Sequence, residues 1–361
     1  MHKTLRHIVS LLVATACLAA VATAYAGDFD PWAGGDYHDT ANGTPITWKR
    51  ATFADTGLDG TTADLPFGLT LPKGYDPGGN TTYPVVVYLH GSGASGSDNR
   101  QQLQRRTAGY FAAPAQVSAA YNAFVVAPQA KHWVHVNWGN GTYVQTDATH
   151  TDNNHLTAHL LRYLTGTANN ADLAGTLGIK AQHVDADRLY VVGDSAGACG
   201  VFEITSRNPG LFAAAIEAHG TGPRNCAHQL AQTPFWMIHS PDDGTIPNKD
   251  IGAPSYPYGA GARGMLPLLD PDWGAPGQST VLDNPLGHLP PDPSAVARLI
   301  YTEFPPGYGH SPADSWTTDM THTDVRPWLF AQVIPEPATL TLLALGGTLL
   351  ALLTRRRGTR P

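Results

Sequence analysis

Arg188-Leu189-Tyr190-Val191-Val192-Gly193-Asp194-Ser195-Ala196-Gly197, continued by Ala198–Arg207 (ACGVFEITSR), is the stretch that decides the fold. Its first half is a short apolar run with β-branched residues, which reads as a buried strand. Its last part reads as a helix. Between them Gly193-Asp194-Ser195-Ala196-Gly197 matches G-x-S-x-G. The pentapeptide alone is a weak signal. Directly after a strand and directly before a helix it is a nucleophile elbow, a strained turn that exposes the serine hydroxyl at the edge of a sheet. The two glycines remove side chains that would clash in so tight a turn.

Outward from this turn, elements alternate. Val85–Leu89, Ala123–Ala127, Phe212–Glu217, Phe235–His239 and Ala297–Phe304 are apolar runs of strand length. Helical stretches cover His155–Leu164, Ala196–Arg207 and Asp324–Val333. Strands alternating with helices predict an α/β protein with a mostly parallel central sheet and helices on both faces. Two segments break the rhythm. Residues 131–154 hold Trp133, Trp138 and many polar residues, and 247–293 is rich in Pro and Gly with almost no periodicity. Loops of that length often build lids or binding walls, so one or both are expected to border the pocket, with Trp133 or Trp138 offering a stacking surface. Residues 27–64 carry no motif, and no internal repeat is visible.

A serine nucleophile needs a base and a group to orient it. In a sheet of this kind they follow in the order acid, then histidine. His239-Ser240-Pro241-Asp242-Asp243-Gly244-Thr245-Ile246-Pro247 lies just past a strand and offers Asp242 or Asp243. Gly307-Tyr308-Gly309-His310 follows the last strand, and its glycines let a loop carry the imidazole back to the serine. His288 and His322 are the competitors of His310; the first precedes the last strand and the second lies near the final helix. The oxyanion hole needs two backbone N–H groups. Ala196, after the serine, offers one, and Ser92 in Leu89-His90-Gly91-Ser92-Gly93 offers the other. No H-E-x-x-H and no paired Cys/His cluster at zinc spacing is present, so no metal and no cofactor is expected.

With these residues in place, the body resembles bacterial α/β-hydrolases of the esterase or polyhydroxybutyrate-depolymerase type, and predicted peptidases related to the prolyl oligopeptidases. The resemblance runs over roughly residues 65–330. It is carried by Leu71-Pro72-Lys73-Gly74-Tyr75, Pro84–Gly93, Ser97-Asp98-Asn99, Ala127-Pro128-Gln129, Asp187–Gly193, Phe212–Ile216 and Trp328-Leu329. It implies the α/β-hydrolase fold and hydrolysis of a carboxylic ester through an acyl-enzyme on Ser195, without a cofactor. Similar hydrolases place an aspartate four residues before a proline, which favours Asp243 over Asp242. Two departures stand out. Relatives often carry Met-Gly-Gly after the serine, where this chain has Ala196-Gly197-Ala198-Cys199, and the 247–293 stretch is longer than the usual link between acid and histidine. A serine peptidase using the same residues, and a surface binding protein on a hydrolase scaffold, are the alternative readings.

The ends of the chain tell where it works. Lys3 and Arg6, the apolar run Ile8–Val21 and Ala24-Tyr25-Ala26 form a signal peptide over 1–26, to be removed by signal peptidase. At the other end Pro335-Glu336-Pro337, the uncharged run 338–353 (ATLTLLALGGTLLALL) and Arg355-Arg356-Arg357 occur in order. This arrangement over 335–361 resembles the PEP-CTERM sorting signal, which implies a transmembrane helix, recognition by an exosortase and delivery to the cell envelope or beyond. The catalytic domain is then 27–334. The whole chain has a formal charge of −7, with +2 in 1–26 and +3 in 335–361, so the body stands at −12. So acidic a body repels phosphate backbones and is no nucleic-acid partner. An ester-bearing small molecule or polymer is the expected substrate. Of three cysteines, Cys17 leaves with the signal peptide, and Cys199 and Cys226 remain as candidates for a disulfide in an oxidising compartment.

Overall fold

Strand β5 (Tyr83–Leu89) and strand β7 (Val184–Asp194) lie side by side and parallel, with Val85 opposite Leu189 and Leu89 opposite Gly193. Both are buried on two faces, as a continuous apolar run demands. Val85, Val87 and Leu89 join one core layer, and Val86 and Tyr88 join the layer on the other side of the sheet. Side chains that alternate across a strand thus all find apolar partners. Each buried valine or leucine contributes about 1.5–3 kcal/mol.

The computed structural model describes residues 28–41, 43–56, 62–130, 153–166, 173–248, 259–272, 281–283, 298–310 and 325–334. The signal peptide, the apolar C-terminal run, Trp133 and Trp138 of the sequence reading lie outside the described residues. Eleven strands form one sheet. Four belong to an antiparallel flank: β1 (Asp28–Pro31), β2 (Tyr37–Ala41), β3 (Thr44–Thr56) and β4 (Thr62–Thr70). The rest run parallel: β5, β6 (Phe124–Pro128), β7, β8 (Ala214–Ala218), β10 (Phe235–His239), β12 (Val281–Asp283) and β13 (Leu299–Glu303). The spatial order is β1-β3-β4-β6-β5-β7-β8-β10-β13-β12, with β2 also on β3. A separate ribbon pairs β9 (Thr221–Pro223) with β11 (Gly259–Gly261), and the short helix α4 (Ala227–Leu230) follows β9.

Helices cover both faces. Helix α1 (Arg106–Val117) and helix α6 (Arg326–Ala331) pack on one layer through Ala108, Phe111, Trp328 and Leu329. Helix α2 (Asn153–Thr165) and helix α3 (Ala196–Arg207) pack on the other through Leu156, Leu160, Val201 and Phe202. Asn208-Pro209-Gly210 ends α3, because proline cannot donate the next helical hydrogen bond. The result is the α/β-hydrolase fold. From β5 the chain steps to β6 on one side and then to β7 on the other. Where strand order reverses in this way, a crevice opens beyond the carboxyl ends of the strands. The elbow sits at the end of β7 and the His90-Gly91-Ser92-Gly93 loop at the end of β5, so both face that crevice.

One expectation is corrected and one silent stretch is filled. Residues 27–64, where the sequence shows no motif, supply β1, β2, β3 and the start of β4. The stretch 247–293 is not irregular throughout; it contains β11, helix α5 (Ala262–Leu269) and the edge strand β12. Pro267 inside α5 masked its periodicity. Helix α1 escaped the sequence reading for the same reason: Gly109 and Pro114 both lower helix propensity. Gly109 is needed there, since a Cβ would come within 2.6 Å of Ala41 Cβ.

Candidate active site

Ser195 stands between β7 and α3 with φ 54° and ψ −120°. A left-handed φ is uncommon for a residue with a side chain and marks a strained turn held by its surroundings. What holds it is close packing at both glycines. A Cβ on Gly193 would lie 2.5 Å from Gly197 O, and one on Gly197 only 1.9 Å from Leu89 O. The Ser195 N–H also donates to Ala218 O across the sheet (2.9 Å).

The structure brings Ser195, His310 and Asp243 into one chain of contacts. Ser195 Oγ lies 2.9 Å from His310 Nε2, and His310 Nδ1 lies 2.8 Å from Asp243 Oδ2. His288 and His322, the competitors, lie outside the described residues. Asp243 follows β10 in a tight turn and accepts the N–H groups of Thr245 (2.9 Å) and Ile246 (2.8 Å) on its Oδ1. Its neighbour Asp242 does something else. Its carboxylate accepts Gly307 N–H (2.7 Å) and Gly309 N–H (3.2 Å), clamping the loop that carries His310. Those backbone donors, Gly307 first, hold the Asp242 carboxyl below its ordinary range. The two adjacent acids thus divide the work: one holds the loop and the other holds the ring.

Two further histidines surround Asp243, and the sequence reading missed both. His219, at φ 62° just past β8, donates from Nδ1 to Asp243 Oδ2 (2.9 Å). His239, the last residue of β10, points Nε2 at Ile246 O (2.8 Å) and at Asp243 Oδ2 (3.3 Å). Burial alone would raise the Asp243 carboxyl. Hydrogen bonds from His219, His239, His310 and the Ile246 N–H outweigh it and hold the group ionised, well below the carboxylate range. Burial lowers His219 to about 4, so it is a neutral ring whose single N–H is spent on Asp243. The only clue in sequence was that both histidines end parallel strands, on the edge where sites form.

The loop after β5 is braced in the same manner. His90 donates from Nδ1 to Gly91 O (2.8 Å) and accepts Ala130 N–H on Nε2 (3.0 Å). Burial lowers it to about 4, which keeps the ring neutral and both bonds intact. Ser92 opens a 3-10 turn (Ser92–Ala94), and Ala196 opens α3. The first N–H groups of a helix have no intrahelical acceptor, so both segments present donors at their starts. A pocket of about 240 Å³ lies between them, lined by Ser92, Gly93, Arg105, Arg106, Ser195 and His310 among others. None of its described lining comes from 131–154 or 247–293, the segments expected to wall it.

The disulfide expected between Cys199 and Cys226 is not formed; both residues are buried and unbridged. Cys199 Sγ turns instead to Thr221, whose N–H and Oγ1 lie at 3.2 and 3.4 Å. Cys226 Sγ lies 3.7 Å from Asn225 Oδ1. Burial raises the Cys199 thiol to about 11, which leaves it protonated and unreactive.

The fold is of the α/β-hydrolase type. Residues 333–357 match the PEP-CTERM protein-sorting motif. That motif marks proteins exported and sorted by an exosortase to the cell envelope or extracellular space. Among the described residues no helix is long and apolar enough to cross a membrane. No curated protein matches the sequence. Among solved structures, a thermostable esterase is similar at 23% identity, covering 80% of this chain and 67% of its own, with a TM-score of 0.49. A feruloyl esterase module from Clostridium thermocellum is 11% identical over 84% of this chain and 90% of its own, with a TM-score of 0.41. An S-formylglutathione hydrolase from Agrobacterium tumefaciens is 13% identical over 82% and 99%, with a TM-score of 0.43.

Proposed function

We propose that the chain is an exported serine hydrolase that cleaves carboxylic esters through an acyl-enzyme on Ser195. The observation that carries this is the unbroken chain from Ser195 Oγ through His310 to Asp243, opening into a pocket beside the loop after β5. Ser195 Oγ attacks the ester carbonyl while His310 Nε2 takes its proton. Asp243 keeps the Nδ1–H tautomer of His310 and stabilises the imidazolium that forms. The N–H groups of Ser92 and Ala196 receive the oxyanion, each such donor contributing about 3–4 kcal/mol to the transition state. His310 then returns the proton to the leaving alcohol. Water, activated by the same ring, releases the acid and restores Ser195. The ester preference rests on the sequence resemblance, since the triad itself serves esters and amides alike. The working unit is 27–334, flanked by two segments that serve export and sorting.

His219 and His239 are positioning residues in this reading. Among the described residues neither His219 Nε2 nor His239 Nδ1 has a hydrogen-bond partner, so the rings are committed to Asp243 and its turn. The test is a panel of aryl and alkyl esters and of short peptides, assayed with the wild type and Ser195→Ala. Ester turnover is expected to fall by about 10⁴-fold or more in the variant. Equal activity in both proteins sinks the proposal, and cleavage of peptides alone reassigns it to a peptidase.

A further inference from the structure

A second cluster of ligating side chains lies away from the elbow. His155 and His159, a pair at zinc spacing that the sequence reading passed over, are four residues apart on α2, so they share one face of the helix. Their rings approach to 3.8 Å between centroids. Asp55, near the end of β3, meets them from the sheet: its Oδ2 is in contact with His159 Nδ1. One donor atom from each of the three residues lies within 4.8 Å of the others. Asp55 is 3% exposed and His159 8%, and His155 is half-buried. Among the described residues the other grouping of this kind, His219, His239 and Asp243, belongs to the site already described.

We infer that Asp55, His155 and His159 form a binding site for one divalent cation of the zinc class. The donor set decides the class. Two imidazole nitrogens and one carboxylate suit zinc and its neighbours, whereas calcium and magnesium take oxygen ligands. The two histidines come from successive turns of one helix, which fixes the nitrogen pair before any metal arrives. Charge supports the same choice. A buried carboxyl group is costly to leave without charge or hydrogen bonds beside it, and a divalent ion held between it and both rings offsets that cost beyond what the His159 contact supplies. Three protein ligands leave one position of a tetrahedral ion for water.

The site is distinct from the triad. β3 stands four places along the sheet from β7, which at the usual spacing of strands is roughly 19 Å. Its place suggests a mechanical role. Asp55 belongs to the antiparallel flank, and the helix that carries the histidines packs across β3, β4 and β7. The ion would add a clip between the first turns of α2 and the end of β3.

The exported chain, stripped with a chelator and dialysed against zinc chloride, is expected to retain one zinc per chain by elemental analysis. His155→Ala and Asp55→Asn are each expected to weaken zinc binding by more than about tenfold, as loss of a ligand should exceed the loss of an outer-shell partner. The half-buried His155 is the informative position, because its truncation leaves the core layers intact. Wild type alone gives a second readout: saturating zinc should raise the melting temperature of the stripped protein by about 5 °C. Failure of the wild type to bind zinc or to gain stability overturns the inference. Full zinc retention in both variants does the same.

Discussion

His219 meets the carboxylate that meets His310, so its influence on chemistry passes through one shared oxygen. Asp243 Oδ2 receives hydrogen bonds from both rings, at 2.9 and 2.8 Å. Removing His219 concentrates the charge of Asp243 on His310 and loosens the carboxylate. His219→Gly takes away the ring while keeping a residue that tolerates the left-handed backbone. We expect kcat to fall about tenfold with KM little changed, since a hydrogen bond to a charged group is worth about 1.5–3 kcal/mol. An unchanged kcat would show that Asp243 is fixed by its backbone donors alone.

Among the elements, Asp194 ties three together. It ends β7, and its side chain accepts the hydroxyls of Tyr88 in β5 (3.1 Å) and Thr107 in α1 (3.3 Å). Burial is the largest influence and raises its carboxyl to about 6, against the lowering from those hydroxyls. The native state therefore holds this proton more tightly than the unfolded chain, whose aspartate titrates near 3.9. The stability gained from protonation is complete below the unfolded value and is lost as pH rises through about 6. The span corresponds to roughly 3 kcal/mol. Urea unfolding at pH 4 and pH 7 should show the wild type losing stability relative to Asp194→Asn over that range. Parallel curves for the two proteins would mean that Asp194 is ionised throughout. The elements that Asp194 joins were unequally visible in sequence. β5 and β7 were read from their apolar runs, whereas α1 was hidden by Gly109 and Pro114.

For the whole molecule the question is where the working unit ends. Ile334 N–H still bonds Asp187 O (2.9 Å), so the body is tied down to the residue before Pro335. The sorting motif spans 333–357 and overlaps the body only at that last tie. Deleting 335–361 should leave ester turnover of the purified protein within about twofold of the full chain, since surface changes away from the core rarely move stability by more than about 0.5 kcal/mol. The same deletion should abolish envelope sorting, read by cell fractionation. A truncated protein that folds normally yet loses turnover would place the tail in the catalytic unit.

The sequence alone carries the parallel core, the elbow at Ser195, the loop after β5 and the sorting tail. Each is written in consecutive residues, where periodicity and glycine placement report burial and turn geometry directly. It also narrowed the acid to Asp242 or Asp243, which a local pattern could do. The folded arrangement fixes what each of those two carboxylates touches. It likewise put His219 and His239 around Asp243, left Cys199 and Cys226 apart, and brought Asp55 to His159 across 104 residues. The physical reason is the same in each case. A strand's pattern says which face is buried, but not which residues from distant strands will share that burial. Side-chain partners at the carboxyl ends of different strands are fixed by strand order, and strand order is set by the packing of the whole sheet.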